Sequence, residues 1–126
     1  MDILVLENDT SVLSYLVGLI QNWGHKTEKS ESGYDAIKKV REKIFDLVLL
    51  DTSLNDITAQ ELIVKLKELR PDIKIVTMTE SNGAELEKDI RTLGIIYYMS
   101  KPVSKKVLKD ILDHTSAKKS GKIADS

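Results

Sequence analysis

The chain contains no cysteine. Disulfides, thiolate zinc sites and cysteine nucleophiles are therefore excluded. It also lacks a charge excess: 19 basic and 20 acidic residues leave a net charge of −1, which argues against a nucleic-acid footprint spread over the whole domain. No apolar run approaches the roughly 20 residues that span a bilayer. No basic stretch precedes the first apolar run, and Asp2 interrupts the position where a signal peptide would begin. The expectation is a soluble intracellular domain. Its 126 residues suit one domain, and hydrophobic and charged fractions of 41% and 31% suit a globular chain rather than a disordered one.

What is present is an alternation. Strand-length apolar runs at Ile3–Leu6, Asp46–Leu50, Ile73–Thr77 and Ile95–Met99 interleave with stretches of helical period. The run His25–Ser30 is poorly apolar and suits a sheet edge. Val12, Leu13, Leu16, Val17, Ile20 and Trp23 share one helical face, with Gly24 as a stop. Ser32 with Asp35, Thr58 with Glu61 and Asn82 with Glu85 resemble capping boxes opening the next three helices. The fourth helix has the thinnest apolar stripe and should be the least firmly held. A fifth starts near Val103 and packs Val107, Leu108, Ile111 and Leu112. Five βα units with short loops imply an α/β fold: a doubly wound, five-stranded parallel sheet flanked by five helices. The polar tail, residues 117–126, reads as a frayed end or linker stub after a domain of residues 1–116.

In such sheets ligands gather at the carboxyl ends of the strands. Glu7, Asn8 and Asp9 follow the first strand, Asp51 the third, Thr79 the fourth, and Ser100, Lys101 and Pro102 the fifth. Oxygen ligands suit a hard cation such as Mg²⁺, and a lysine with a hydroxyl suits phosphoryl recognition. An aspartate among them can act as a nucleophile and form an aspartyl phosphate. His25 and His114 lie off this edge, and Trp23 reads as a core residue.

The segments LVLENDT, DLVLLDTSLND, IVTMTE and YYMSKP resemble the motifs of the bacterial two-component response-regulator receiver domain, the CheY-like family, over residues 2 to about 116. That resemblance implies strand order 2-1-3-4-5 and a cytoplasmic signalling switch rather than a metabolic enzyme. It implies that Asp51 takes a phosphoryl group from a phosphohistidine on a sensor kinase or phosphotransfer protein. Glu7, Asn8, Asp51 and the Ser53 carbonyl would hold Mg²⁺. Thr79 and Lys101 would contact the phosphoryl group, and Tyr98 would be the switch aromatic that turns inward when Thr79 moves. The readout surface would be the fourth helix, fifth strand and fifth helix, facing an effector protein, a further output domain or a second copy of the chain, with no direct contact to nucleic acid or membrane. The Lys101–Pro102 bond is often cis in this family. Only about 5–6% of such bonds are cis in general, so that expectation rests on the resemblance.

The departures matter. Position 8 usually carries a second acid, and Asn8 brings no charge. One unit-charge pair at ~4 Å and an effective dielectric near 20 is worth about 4 kcal/mol before desolvation, so even a fraction weakens Mg²⁺ binding tenfold or more. Asp9 is expected to cap the first helix instead of compensating. Asn55 and Ala59 replace a usual proline and glycine, and Glu80 adds negative charge beside Thr79. These changes leave a rival reading: a pseudo-receiver that keeps the fold as an interaction module without phosphorylation. Two enzymatic or cofactor-binding readings fail on missing residues. A haloacid-dehalogenase-type phosphatase needs an acid where Ser53 stands, and a flavodoxin-like FMN binder needs glycines that ENDTSV lacks.

Overall fold

A computed structural model describes residues 1–80 and 83–119. Ten elements alternate: β1 (Asp2–Leu6), α1 (Thr10–Asn22), β2 (Lys26–Ser30), α2 (Gly33–Glu42), β3 (Leu47–Asp51), α3 (Ala59–Leu69), β4 (Lys74–Thr79), α4 (Ala84–Arg91), β5 (Tyr97–Ser100) and α5 (Lys105–Lys119). The five strands form one parallel sheet in the order β2-β1-β3-β4-β5, as the resemblance implied.

Side-chain alternation along the strands divides the core into two layers. Leu4, Leu6, Val48, Leu50 and Ile75 face α2, α3 and α4. Ile3, Val5, Leu47, Leu49, Val76 and Met78 face α1 and α5. Burial on both faces explains why β1, β3 and β4 read as nearly unbroken apolar runs. β2 is half-exposed and lies at the edge, as its composition indicates.

Helix starts follow the expected chemistry, with two shifts. The Asp9 carboxylate accepts from the backbone N–H groups of Ser11 and Val12 at 3.0 and 3.2 Å, and Thr58 Oγ1 accepts from Glu61 at 3.2 Å. Gly24 follows α1 at φ +94°, a left-handed turn that favours glycine. α4 starts after Gly83, which supplies no side-chain cap; the Asn82 cap expected there lies outside the described residues. α5 begins at Lys105 instead of near Val103 because Ser104 caps it, its hydroxyl accepting from Val107 N–H at 3.2 Å. It runs through Lys119, so residues 117–119, expected in the tail, are helical. α4 buries only Ile90, in keeping with its thin stripe. No helix of the described residues is long and apolar enough to cross a membrane.

β5 starts at Tyr97, two positions later than the expected Ile95. Ile95 packs against the α2–α4 layer from the preceding turn. Ile96 is 42% exposed, and its N–H donates to the Ile75 carbonyl at 2.8 Å. Both isoleucines look like strand by composition but serve the approach to it.

α2 meets the loop after β3 very closely. A Cβ added at Gly33 would lie 2.1 Å from Ile57 Cγ2, and Ile57 is buried. Gly33→Ala is therefore expected to lower stability by about 1–3 kcal/mol through overpacking, against a helix-propensity gain of about 1 kcal/mol or less. A urea midpoint at or above the parent's would show that Ile57 moves aside freely.

Candidate functional site

β1, β3 and β4 end level with one another, so Glu7, Asp51 and Thr79 emerge at one edge of the sheet. All three side chains are buried. Lys101, just past β5, reaches between the two acids: its Nζ lies 2.7 Å from Glu7 Oε2 and 3.3 Å from Asp51 Oδ2. Its backbone N–H donates to the Thr79 carbonyl at 2.7 Å, which ties the lysine's loop to the end of β4. The Lys101–Pro102 peptide is cis.

The electrostatics follow from burial and sharing. Desolvation, then the charge of Asp51, push the Glu7 carboxyl above its ordinary value despite the bound lysine. Burial alone would lower Lys101, yet its hydrogen bond to Glu7 and the charge of Asp51 outweigh that and raise it. Two carboxylates thus share one ammonium in a nearly dry pocket. With both acids ionised the set carries one net negative charge.

Asn8 and Ser53 face each other across the mouth of this pocket. Asn8 Nδ2 donates to the Ser53 backbone carbonyl at 3.2 Å, and Ser53 N–H donates to Asp51 Oδ1 at 3.1 Å. The oxygens of Glu7, Asp51 and Ser53 are a donor set of the kind a hard cation takes, and the residues fit Mg²⁺ to that extent. Among the described residues no group of three or more His, Cys, Asp or Glu is placed to hold a metal ion, and Asn8 at the mouth brings an amide without charge.

Tyr98 is buried, with its ring turned inward beneath the Arg91 guanidinium, 5.6 Å away. Its hydroxyl and the Thr77 hydroxyl on the neighbouring strand are buried without a hydrogen-bond partner. The aromatic expected to turn inward upon switching is thus already inward here. A groove of about 630 Å³ between α1 and the Lys101–Val103 loop leads to the lysine, flanked by Val12, Tyr15, Pro102 and exposed Glu80.

One contributor has no local signal in the sequence. The Asp56 carboxylate accepts from the first two N–H groups of α2, Gly33 at 3.0 Å and Tyr34 at 2.9 Å. Desolvation works against its charge, but those N–H groups hold its pKa below the ordinary value. Asp56 therefore straps the loop after Asp51 onto α2. The Ser32–Asp35 pair, expected to form a reciprocal box, does half of that: Asp35 N–H donates to Ser32 Oγ at 3.1 Å, while the Asp35 carboxylate turns to Ser30 and Lys39. A capping acid 22–23 residues away is visible only in the fold.

Comparison with known proteins agrees with this fold. The response regulator receiver domain family matches residues 3–113. The chain is 34% identical over 116 residues to the transcriptional regulatory protein ZraR of Salmonella typhimurium, covering 92% of this chain and 26% of that protein. The Escherichia coli K12 protein of the same name is 31% identical over 118 residues. The chain thus spans about a quarter of the length of these relatives. Among solved structures, a CheY-like receiver domain from Methanospirillum hungatei superposes with a TM-score of 0.87 at 25% identity, covering 95% of this chain and 97% of that one. The response regulator TrrA of Thermotoga maritima, solved in complex with Mg²⁺–BeF, gives 0.81 at 24% identity over 90% of this chain and 97% of its own.

Proposed function

Because the chain belongs to the response regulator receiver domain family of two-component signalling, we propose that Asp51 is its phosphoacceptor. The observation that carries this reading is the placement of Asp51: buried at the end of β3, its carboxylate 3.3 Å from the Lys101 ammonium, with its register partner Met78 one residue before Thr79 at the end of β4. In the proposed step an Asp51 carboxylate oxygen attacks the phosphorus of a phosphohistidine on a sensor kinase or phosphotransfer protein. A P–O bond forms as the P–N bond breaks, and the imidazole leaves with a proton from solvent. Lys101 neutralises charge on the transferred oxygens, and the Thr79 hydroxyl donates to one of them. Glu7, Asp51, the Ser53 carbonyl and the amide oxygen of Asn8 would hold Mg²⁺, weakly. When bound, it would offset the negative charge of the phosphoryl group. A shift at Thr79 would change how Tyr98 packs beneath Arg91 and so alter the α4–β5–α5 face. That face would meet an output domain, a separate effector or a second copy of the chain. The setting we propose is the cytoplasm, and the domain is a switch, with at most self-phosphorylation and self-dephosphorylation at Asp51.

The Asn8–Ser53 hydrogen bond also supports a second reading, a pseudo-receiver that signals through its unmodified fold. Incubation with Mg²⁺ and a small acyl phosphate, followed by intact mass, separates the two. The phosphoacceptor reading expects the mass of one phosphoryl group, removable by hydroxylamine, and amide shifts at Thr79, Tyr98 and α4 when beryllofluoride is added with Mg²⁺. Neither mass gain nor shifts at saturating Mg²⁺ would leave the pseudo-receiver reading standing.

A further inference from the structure

We propose that the Asn8 carboxamide is a latch that holds the phosphoacceptor loop in place when no divalent cation is bound. The inference rests on the phosphoacceptor reading only for what the loop is for. The argument begins with which atoms already have donors. Glu7 Oε1 accepts from Asp9 N–H at 3.2 Å, and Glu7 Oε2, which lacks a hydrogen bond of good geometry, lies 2.7 Å from the Lys101 ammonium as an ion pair. Asp51 Oδ1 accepts from Ser53 N–H and Asp51 Oδ2 meets Lys101. The Ser53 carbonyl accepts from Asn8 Nδ2. Three of these oxygens, Glu7 Oε1, Asp51 Oδ1 and the Ser53 carbonyl, are thus already held by N–H donors of the chain itself, and the other two face the Lys101 ammonium.

An amide can fill this place where a carboxylate cannot. A backbone carbonyl is purely an acceptor, so the Asn8 side chain must present its nitrogen to Ser53 and not its oxygen. A carboxylate at position 8 would set acceptor against acceptor there and add charge beside Glu7, Asp9 and Asp51. Such a chain would need a cation to join the loop after β1 to the loop after β3; this chain joins them with a hydrogen bond across 45 residues of sequence. The Asp56 strap fixes the far side of the same loop to α2, so the segment from Ser53 to Asp56 is held at both ends. Cation binding then has a cost peculiar to this chain, because the amide nitrogen must leave Ser53 before the amide oxygen can turn to a metal.

The test is amide hydrogen exchange in metal-free protein, with residues in β4 as an internal reference. Asn8→Ala and Asn8→Asp are each expected to speed exchange at Ser53, Leu54 and Asn55 by about tenfold, the factor that ~1.4 kcal/mol of lost interaction produces, while β4 is unchanged. Saturating Mg²⁺ should restore protection in Asn8→Asp. In the parent, Mg²⁺ should shift the Asn8 side-chain NH₂ resonances as they leave Ser53, a readout that simple loop packing would not move. Equal loop exchange in the parent and Asn8→Ala, or Asn8 NH₂ resonances that stay put at saturating Mg²⁺, would overturn the latch. Neither measurement involves a phosphoryl group. A chain that gains the phosphoryl mass without loop effects rejects the latch alone, and the reverse outcome rejects the phosphoacceptor alone.

Discussion

Asp51→Asn is expected to abolish phosphoryl uptake while leaving the fold standing. An amide in place of the carboxylate keeps the shape of the side chain but is too poor a nucleophile to form the acyl phosphate, so the mass gain in small acyl phosphate should vanish entirely. The fold should tolerate the change because Lys101 keeps its partner: Glu7 remains 2.7 Å from the ammonium. Burial, the largest influence holding the Glu7 carboxyl above its ordinary value, remains, while loss of the Asp51 charge removes another. The lost attraction to Lys101 and the relieved repulsion with Glu7 oppose each other, so the net stability change should stay within about 1 kcal/mol, small on the scale of point substitutions. Intact mass and a urea curve on the same preparation check both halves. A phosphoryl group that persists in Asp51→Asn would move the acceptor to another residue.

Lys101→Met should have the largest effect on stability. It keeps the length of the side chain and strands two buried carboxylates, 1% and 2% exposed, without a countercharge. Removing one partner of a buried ion pair costs about 3–5 kcal/mol. The lower end is expected, because the lysine side chain is 11% exposed and its pocket opens onto a groove. The pH dependence fixes the sign. In the parent, the Lys101 pKa is raised by folding, so its contribution is complete below the unfolded value of about 10.4. It is lost as pH rises through the folded value. In Lys101→Met the Glu7 carboxyl, already held above its ordinary value by burial and by Asp51, loses the ammonium that opposed them, and its folded pKa rises further above the unfolded one. The folded variant then binds more protons than the unfolded chain, and its stability recovers as pH falls through that raised range. Urea midpoints between neutral and mildly acid pH should converge. A variant within about 0.5 kcal/mol of the parent at neutral pH, a size typical of surface substitutions, would show that the acids find another partner.

Much of the architecture was legible because it is local. Strand-length apolar runs interleaved with stretches of period 3.6 placed all ten elements, and Asp9 and Thr58 cap α1 and α3 as their spacing indicates. The misplacements have physical causes. Ile95 and Ile96 are apolar without being strand, since composition does not separate a residue packed beside a sheet from one paired within it. The start of α5 was set by Ser104, a capping hydroxyl three residues before Val107.

The candidate site divides along the same line. Glu7, Asn8, Asp51, Thr79 and Lys101 come together because a parallel sheet with right-handed crossovers must bring its strand ends to one edge, and that much is determined by the order of elements in the chain. Which atoms then pair was decided by the tertiary structure alone. Lys101 divides itself between Glu7 and Asp51, Asn8 turns its nitrogen to Ser53, and Asp56 caps a helix that precedes it by more than twenty residues. Such contacts depend on loop paths and side-chain directions set by packing across the whole domain, where a shift of about an ångström makes or breaks a hydrogen bond. The periodicity within a helix or strand depends only on neighbours a few residues away. The sequence therefore determined the sheet, its helices and the inventory of groups at its edge, and the packed fold decided that an amide joins the loops after β1 and β3 and a shared lysine holds the acids.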